Sequence, residues 1–356
     1  MLEVKRPTLL LNKDISVRNL KHIKKKADLQ NVSLRPHFKT HQSTHVGKWY
    51  KEEGIEKITV SSVTMAKYFS QDWNNIMIAF PINILEIETL NSITNRCKIS
   101  LLVDNFSVLD YLDKNLLKRV NIYIKIDVGY KRAGIVYDKF SDIDEIINFC
   151  SESKYLSFKG FVSHFGNTYN SNGKKEIINT YKKSIEKLKV LNDIYPNYEI
   201  SVGDTPSSSL VDNFPEFISE LRPGNFIFYD LFQYSIGSCN INDIAVRMVC
   251  PIVSVYRDRG EVLIYGGSVH FSKDFIKNKK NKCFGYAYIY DHIWKEKKRV
   301  GYIKSLSQEH GIISVDNVEK YRIGDLLVII PVHSCLTVDK MRSFFVDQEK
   351  FSIMSY

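Results

Sequence analysis

Over the first 244 residues, apolar runs rich in β-branched side chains alternate with amphipathic stretches of helical period. That alternation is the pattern of repeated βα units built around a parallel sheet. The runs VSLRPH (32–37), KITVSS (57–62), NIMIAF (75–80), CKISLLV (97–103), VNIYIKID (120–127), SFKGFVSH (157–164), YEISVG (198–203) and FISELRPG (217–224) predict eight strands. Between them, SVRNLKHIKKKADL (16–29), VTMAKYFSQ (63–71), NILEIETLNSIT (83–94), SVLDYLDKNLL (107–117), FSDIDEIINFC (140–150) and KKEIINTYKKSIEKLKVLNDI (174–194) predict helices. An α/β fold with this count is a (β/α)8 barrel, whose sites are built from loops at the C-terminal ends of the strands.

After residue 244 the texture changes to short alternating runs: IAVRMVCPIVSVYR (244–257), EVLIYGGSV (261–269), RVGYIKSLSQEHGIISV (299–315) and DLLVIIPVHS (325–334). Glycine and charged turns punctuate them, which predicts a mostly β domain. The expected division is a barrel over 8–244 and a β domain over 245–356 that also takes residues 1–7. No segment repeats at a fixed period and none is of low complexity, which excludes a solenoid.

Composition narrows the class. The chain has 356 residues, 44% of them hydrophobic, enough for one large core and a smaller one. A membrane span needs roughly 18 to 20 continuous apolar residues. VLIYGG and DLLVIIPV are far shorter, so no membrane partner is expected. The start, MLEVKRPTLLLNKD, has charges on both sides of a brief apolar run and no small-residue cleavage site. It does not read as a secretory signal, and the expected compartment is the cytoplasm. Cys97, Cys150, Cys239, Cys250, Cys283 and Cys335 show no CxxC spacing, which argues for reduced thiols in the core. Cys335 stands apart because it lies two residues from His333. The net charge of +10 sits in the runs KHIKKK, KNKKNK and KEKKR, without interleaved aromatics. These read as solvated faces that attract small anions rather than as a nucleic-acid surface.

Three places carry candidate chemistry. RPHFKTHQS (35–43) sets Lys39 between two histidines just after the first predicted strand, where barrel enzymes place reacting groups. An interior lysine serves as a nucleophile toward an aldehyde or as a base, whereas a loop lysine is ordinarily solvated. SVGDTPSSS (201–209) and ELRPGN (220–225) end the seventh and eighth strands with small residues and free backbone N–H groups. Each alone is an ordinary loop; together they suit a phosphate at a barrel mouth. In PVHSCLT (331–337), His333 and Cys335 would project to one face if the segment is a strand. Two ligands suit a catalytic zinc with positions left for water and substrate, and a buried cysteine beside a hydrogen-bonded histidine gives the same spacing.

In order along the chain, these motifs resemble those of the pyridoxal-phosphate enzymes of the alanine-racemase fold (fold type III). Within them, the resemblance is to the D-threonine aldolase and D-serine dehydratase-like group, from about residue 6 onward. It implies that Lys39 carries the cofactor covalently. KIDVGYKRAGI (125–135) is similar to the strand that brings an arginine, here Arg132, near the cofactor's phenolic oxygen. SHFGNTY (163–169) resembles the segment that supplies His164 and Tyr169 to the pocket, while GDTPSS and ELRPGNFIFYD resemble the phosphate-binding stretches, with Thr205, Gly224 and Asn225 as the matching residues. The dehydratase-like members hold a zinc site at His-x-Cys, where the related aldolases have His-x-Asp, so the resemblance places zinc at His333 and Cys335; thiolate also favours zinc over magnesium or manganese.

The chain departs from the family at Gly266, where many members carry aspartate, and at Gln42, where lysine is frequent. Both bear on the substrate more than on the cofactor. His270 reads as a surface histidine or a further pocket residue, and His310 of QEHG (308–311) lies in another family-like stretch.

The resemblance implies a pyridoxal-phosphate- and zinc-dependent lyase acting on D-3-hydroxyamino acids, most simply D-serine. Lys39 would remove the Cα proton and zinc would assist loss of the β-hydroxyl, giving pyruvate and ammonia. Retro-aldol cleavage to glycine and an aldehyde, or racemisation, would use the same groups. A non-catalytic cofactor carrier is disfavoured by the hundred or so residues after 244. A homodimer is also implied.

Overall fold

The structure, a computed structural model, describes residues 3–291, 293–294 and 298–355. They form two compact units. One holds Lys21–Lys39 and Val46–Gly224; the other holds Thr40–His45, Asn225–Ser355 and the residues up to Leu20.

In the first unit all eight predicted strands form, as Ser33–Leu34, Ile58–Val60, Asn75–Pro81, Lys98–Val103, Val120–Asp127, Leu156–Ser163, Glu199–Val202 and Glu220–Leu221. They pair in parallel in chain order from Ile58–Val60 to Glu220–Leu221, which pairs in turn with Ser33–Leu34. A single parallel bridge between His37 and Thr59 then closes the sheet on itself. Alternate side chains point inward, and Met77, Leu102, Tyr123 and Val162 form a buried cluster within the barrel.

Helices Lys174–Ile194 and Phe140–Glu152 follow their predicted bounds closely. Asn105 and Ser62 cap Phe106–Asn115 and Val63–Phe69 by accepting from Val108 N and Met65 N, which satisfies N–H groups a helix start leaves open. In NILEIETLNSIT, Asn83 caps a 3-10 turn over Ile84–Glu86, and the α-helix is only Ile87–Thr94. Helix Thr44–Glu52 was not predicted. Gly47 weakens its pattern, and the reason for glycine is packing: a Cβ there would lie 3.4 Å from Phe38 Cε2.

Gly160 marks a tighter approach. A Cβ at this position would lie 2.0 Å from Glu199 O on the neighbouring strand. Since backbone cannot rotate away as a side chain does, Gly160→Ala is expected to destabilise the chain by about 3 kcal/mol, measured as a lower denaturation midpoint.

The second unit is a closed antiparallel barrel. Val246–Tyr256, Glu261–Tyr265, His310–Val315, Gly301–Leu306, Gly285–Ile289 and Leu326–Pro331 pair in that order, and the last returns to Val246–Tyr256. Thr8–Leu11 lies against Val246–Tyr256, followed by Ser343–Val346 and Glu349–Ser352. Strands Gly285–Ile289, Ser343–Val346 and Glu349–Ser352 were not predicted; they are short, and the sheet supplies the neighbours that hold them.

The run KHIKKK lies on helix Lys13–Asp28, and KNKKNK forms the hairpin of Ile276–Asn278 and Asn281–Cys283. Of KEKKR (295–299) only Lys298 and Arg299 fall among the described residues. No helix among the described residues is long and apolar enough to cross a membrane.

Candidate active site

Lys39 is held by its neighbours on both sides. His37 N donates to Pro223 O at 2.9 Å and Thr59 N to Pro36 O at 2.9 Å, tying the segment to the adjoining strands. Phe38 is fully buried, its ring 4.9, 5.0 and 5.2 Å from those of Tyr50, Phe69 and Trp73. Lys39 follows in the one-turn helix Phe38–Thr40, exposed at the C-terminal end of the strand, its own N–H donating to His37 Nδ1 at 3.3 Å. A buried anchor thus fixes the stem of an accessible amine.

His164 directly follows strand Leu156–Ser163. A carbonyl only accepts, so the 2.5 Å contact of His164 Nδ1 with Gly203 O puts the ring proton on Nδ1 and leaves Nε2 as the acceptor. Burial pushes this imidazole down to about 3, and the positive charges of Lys125, Lys39 and Arg132 add to the effect. His164 is therefore neutral at working pH. Arg132 lies 5.1 Å over the Tyr130 ring.

Tyr169 continues the group: its ring lies 6.1 Å from that of His164, and its hydroxyl accepts from Thr205 N at 3.2 Å. Sequence read residues 201–209 as loop, but Thr205–Leu210 is a short helix capped by Asp204, which accepts from Ser207 N at 2.7 Å and Thr168 Oγ1 at 2.9 Å. The Thr205 and Ser207 hydroxyls are buried and take no partner among the described residues. Two unpartnered buried hydroxyls beside an amine and several cations fit a phosphorylated aldehyde such as pyridoxal phosphate. Gly224 ends the strand-eight segment, directly after the Pro223 carbonyl that receives His37.

Two residues of this neighbourhood escaped the sequence reading. Lys125 is buried, its Nζ 3.4 Å from Ile126 O. Burial pushes its amine down to about 7, helped by the charges of Arg222 and Arg132. Arg222 is buried too, donating from Nε to Ser201 Oγ at 2.8 Å and from Nη2 to Ser163 O at 2.8 Å. The period-two alternation of YIKID and ELR was the signal: it turns a lysine and an arginine to the interior face of their strands.

The second group of candidates lies wholly in the other unit. His333 and Cys335 are not on a strand. The strand ends at Pro331; His333 is the N-cap residue of helix Ser334–Met341, and Cys335 sits in its first turn. The physical reason is Asp230, whose buried carboxylate accepts from Ser334 N at 3.0 Å and from Ser334 Oγ at 3.2 Å and so fixes a helix start. The two side chains influence each other nevertheless, each shifting the ionisation of the other.

Around them, His333 Nδ1 lies 2.6 Å from Asp274 Oδ2, Cys335 donates to Thr40 Oγ1 at 3.3 Å, and Asn225 Nδ2 reaches Cys335 Sγ at 3.5 Å. The same Asn225 amide donates to Asp230 Oδ2 at 2.7 Å and Ser334 Oγ at 2.9 Å, so this residue, read in sequence with the phosphate stretch, has its side chain in the Cys335 group. Burial raises a thiol, yet Cys335 is lowered because the bond and charge of His333 outweigh it, with Thr40 assisting. Burial likewise opposes protonation of His333, but Cys335, Asp230 and Asp274 lift it to about 10. The protons of the two are thus coupled, drawn from Cys335 toward His333. Among the described residues, no group of three or more His, Cys, Asp and Glu side chains is placed to hold a metal ion.

His270 accepts from Gly267 N on Nδ1 at 3.1 Å and is partly buried; His310 pairs opposite Tyr265 on its strand. Gly266 is also explained by packing, since a Cβ there would lie 2.7 Å from Cys250 Sγ.

Comparison with known proteins adds to this geometry. The family model of the alanine racemase N-terminal domain matches residues 12–231, and that of a putative serine dehydratase domain matches 245–346. A D-serine dehydratase of Dictyostelium discoideum is 30% identical over 96% of this chain and 92% of its own. A D-threo-3-hydroxyaspartate dehydratase of Delftia sp. HT23 is 23% identical over 95% of this chain and 92% of its own. Its solved structure has a TM-score of 0.88 at 20% identity, over 99% of this chain and 98% of its own. A cysteine-to-alanine variant of that dehydratase has been solved in a metal-free form. The structure of a D-threonine aldolase from Filomicrobium marinum matches with a TM-score of 0.82 at 18% identity, over 99% of this chain and 97% of its own. The racemase-type model spans more than half of the sequence and the Dictyostelium relative nearly all of it: the chain belongs to the alanine-racemase-like, fold-type III family of pyridoxal-phosphate enzymes.

Proposed function

We propose that the chain is a pyridoxal-phosphate- and zinc-dependent lyase of D-3-hydroxyamino acids, most simply a D-serine dehydratase that forms pyruvate and ammonia. The observation that carries this reading is the Cys335–His333 pair, a thiol whose ionisation His333 favours beside an imidazole whose Nδ1 is held by Asp274. Carboxylate-to-histidine anchoring of this kind orients imidazoles for metals. A pair of protein donors suits an open, catalytic position rather than a closed structural one.

Bound pyridoxal phosphate supplies an electron sink for Cα of the amino acid it carries. Zinc supplies a Lewis acid for the β-hydroxyl, a poor leaving group by itself. Thr205 and Ser207 hold the phosphate with their unpartnered hydroxyls, and Arg132 and Tyr169 line the pocket around it. Lys39 carries the cofactor, and its freed amine takes the Cα proton. His164, kept neutral by its surroundings, offers Nε2 as an acceptor without adding charge. His333 and Cys335 hold the metal, which requires His333 to give up its proton on metal binding. Kinship with a D-serine dehydratase over nearly the whole chain supports elimination over other outcomes.

The test is product analysis of the purified, zinc-replete protein. Pyruvate is expected from D-serine, none from L-serine, and none after chelation. A protein that keeps its cofactor band but forms glycine and an aldehyde from larger D-3-hydroxyamino acids would replace dehydration with retro-aldol cleavage; interconversion of D- and L-serine would replace it with racemisation.

A further inference from the structure

Branched apolar side chains ordinarily fill the interior of such a barrel. Here one side of it does so, with Met77, Leu102 and Val162, while the other side is polar. Glu220 and Arg222 are two residues apart and face inward together, and Ser201 is the register partner of Glu220 on the adjoining strand. Their hydrogen bonds run in one direction, because a guanidinium only donates and a carboxylate only accepts. Arg222 Nε donates to Ser201 Oγ at 2.8 Å, and Ser201 Oγ donates to Glu220 Oε1 at 2.7 Å. The second carboxylate oxygen of Glu220 takes Arg35 Nε at 2.9 Å and Lys57 Nζ at 2.7 Å.

Arg222 is thus pinned through Nε and, at Ser163 O, through Nη2, while Nη1 takes no hydrogen bond from the described residues. Two neighbours of Arg222 adjoin His164: Ser163 precedes it, and Gly203, whose carbonyl holds His164 Nδ1, packs so close to Arg222 that a Cβ would lie 2.8 Å from the Arg222 carbonyl. The charge of Arg222 reaches Lys125, and that of Lys125 reaches His164. Burial would raise the Glu220 carboxyl, but Arg35 and Lys57 outweigh it and hold the group down at about 2. It is an anion at every working pH.

We propose that Ser201 and Glu220 are positioning residues for the cofactor: they orient the Arg222 guanidinium and offset its charge, and so set the electrostatic potential at the barrel mouth. Neither touches the reacting atoms. Other ionisable groups facing the chain of bonds are Arg35, Lys57, Lys125 and Tyr123, the last donating to Glu199 Oε2 at 2.6 Å.

The test uses the full chain loaded with pyridoxal phosphate and reads the cofactor's absorption spectrum as a function of pH, with no amino-acid substrate present. Glu220→Gln removes the one carboxylate among Arg35, Lys57 and Arg222, so the protonated form of the cofactor's lysine link is disfavoured. The midpoint of its absorption change should fall by about one pH unit. Ser201→Ala should shift it less, in the same direction, and Ser201→Thr, which keeps the hydroxyl, should restore it. A folded Glu220→Gln with an unchanged midpoint would overturn the proposal, as would Ser201→Thr behaving like Ser201→Ala. If Glu220→Gln does not fold, Ser201→Ala decides alone: a lowered midpoint supports the assignment and an unchanged one ends it. Because the readout is the cofactor's own spectrum, the result stands apart from whether D-serine is the substrate.

Discussion

Replacing Lys39 with alanine should abolish the visible absorption band of the lysine-linked cofactor and lower turnover by about 10⁴-fold or more, since one amine serves both as covalent anchor and as base. The loss should be specific to the amine, because the packing of Phe38 and the backbone bonds of His37 and Pro36 fix this turn without the Lys39 side chain. Lys125 tests the assignment. Its amine is pulled toward neutrality near pH 7, which makes it the chemically plausible substitute. Its Nζ is buried and directed to the Ile126 carbonyl, however, whereas Lys39 is exposed at the strand end. Absorption spectra of Lys39→Ala and Lys125→Met, each with added pyridoxal phosphate, separate the two; a band kept in Lys39→Ala and lost in Lys125→Met would transfer the role to Lys125.

The second large effect belongs to Cys335. Cys335→Ala should leave less than stoichiometric zinc by elemental analysis and reduce D-serine turnover by about 10³-fold, the order expected when a Lewis acid is withdrawn from a poor leaving group. Cys97, a buried thiol of the other unit that contacts Trp73 O, provides the comparison: Cys97→Ala should keep its zinc. Asp274→Asn should fall between them, because an amide still fills the space beside His333 but holds the imidazole less firmly, a change that ordinarily costs about 10- to 100-fold in metal affinity. Full zinc content in Cys335→Ala would remove the metal assignment.

Much of the fold was legible in the sequence because periodicity reports burial directly. Eight apolar runs gave eight strands, and the 21 residues of Lys174–Ile194 carried an uninterrupted helical pattern. Where tertiary contacts decide, the pattern was silent. Helix Thr44–Glu52 contains a glycine chosen for its neighbour Phe38, and Ser343–Val346 is a strand held between Thr8–Leu11 and Glu349–Ser352. PVHSCLT continues a strand-like run, so nothing local shows that a buried aspartate over a hundred residues earlier starts a helix there. Lys39, His164 and Tyr169 were readable as motifs. Lys125 and Arg222 were readable only by asking which face of a strand each occupies, because charge alone points to the solvent face.

The thinnest part of the parallel barrel carries a cluster of ion pairs. Between Glu220–Leu221 and Ile58–Val60 the sheet is only a two-residue strand and one isolated bridge wide in pairing, yet Glu220 joins Arg35 beyond that strand to Lys57 on the far side of it. A ring of strands must meet itself in one register, and a slip of one residue would turn every side chain to the opposite face. The ladder at this seam is too short to choose. A slipped closure would strand a carboxylate and two cations in the interior without one another, so it is the ions that tell the circle where to join, and the turn bearing Lys39 grows directly out of that join.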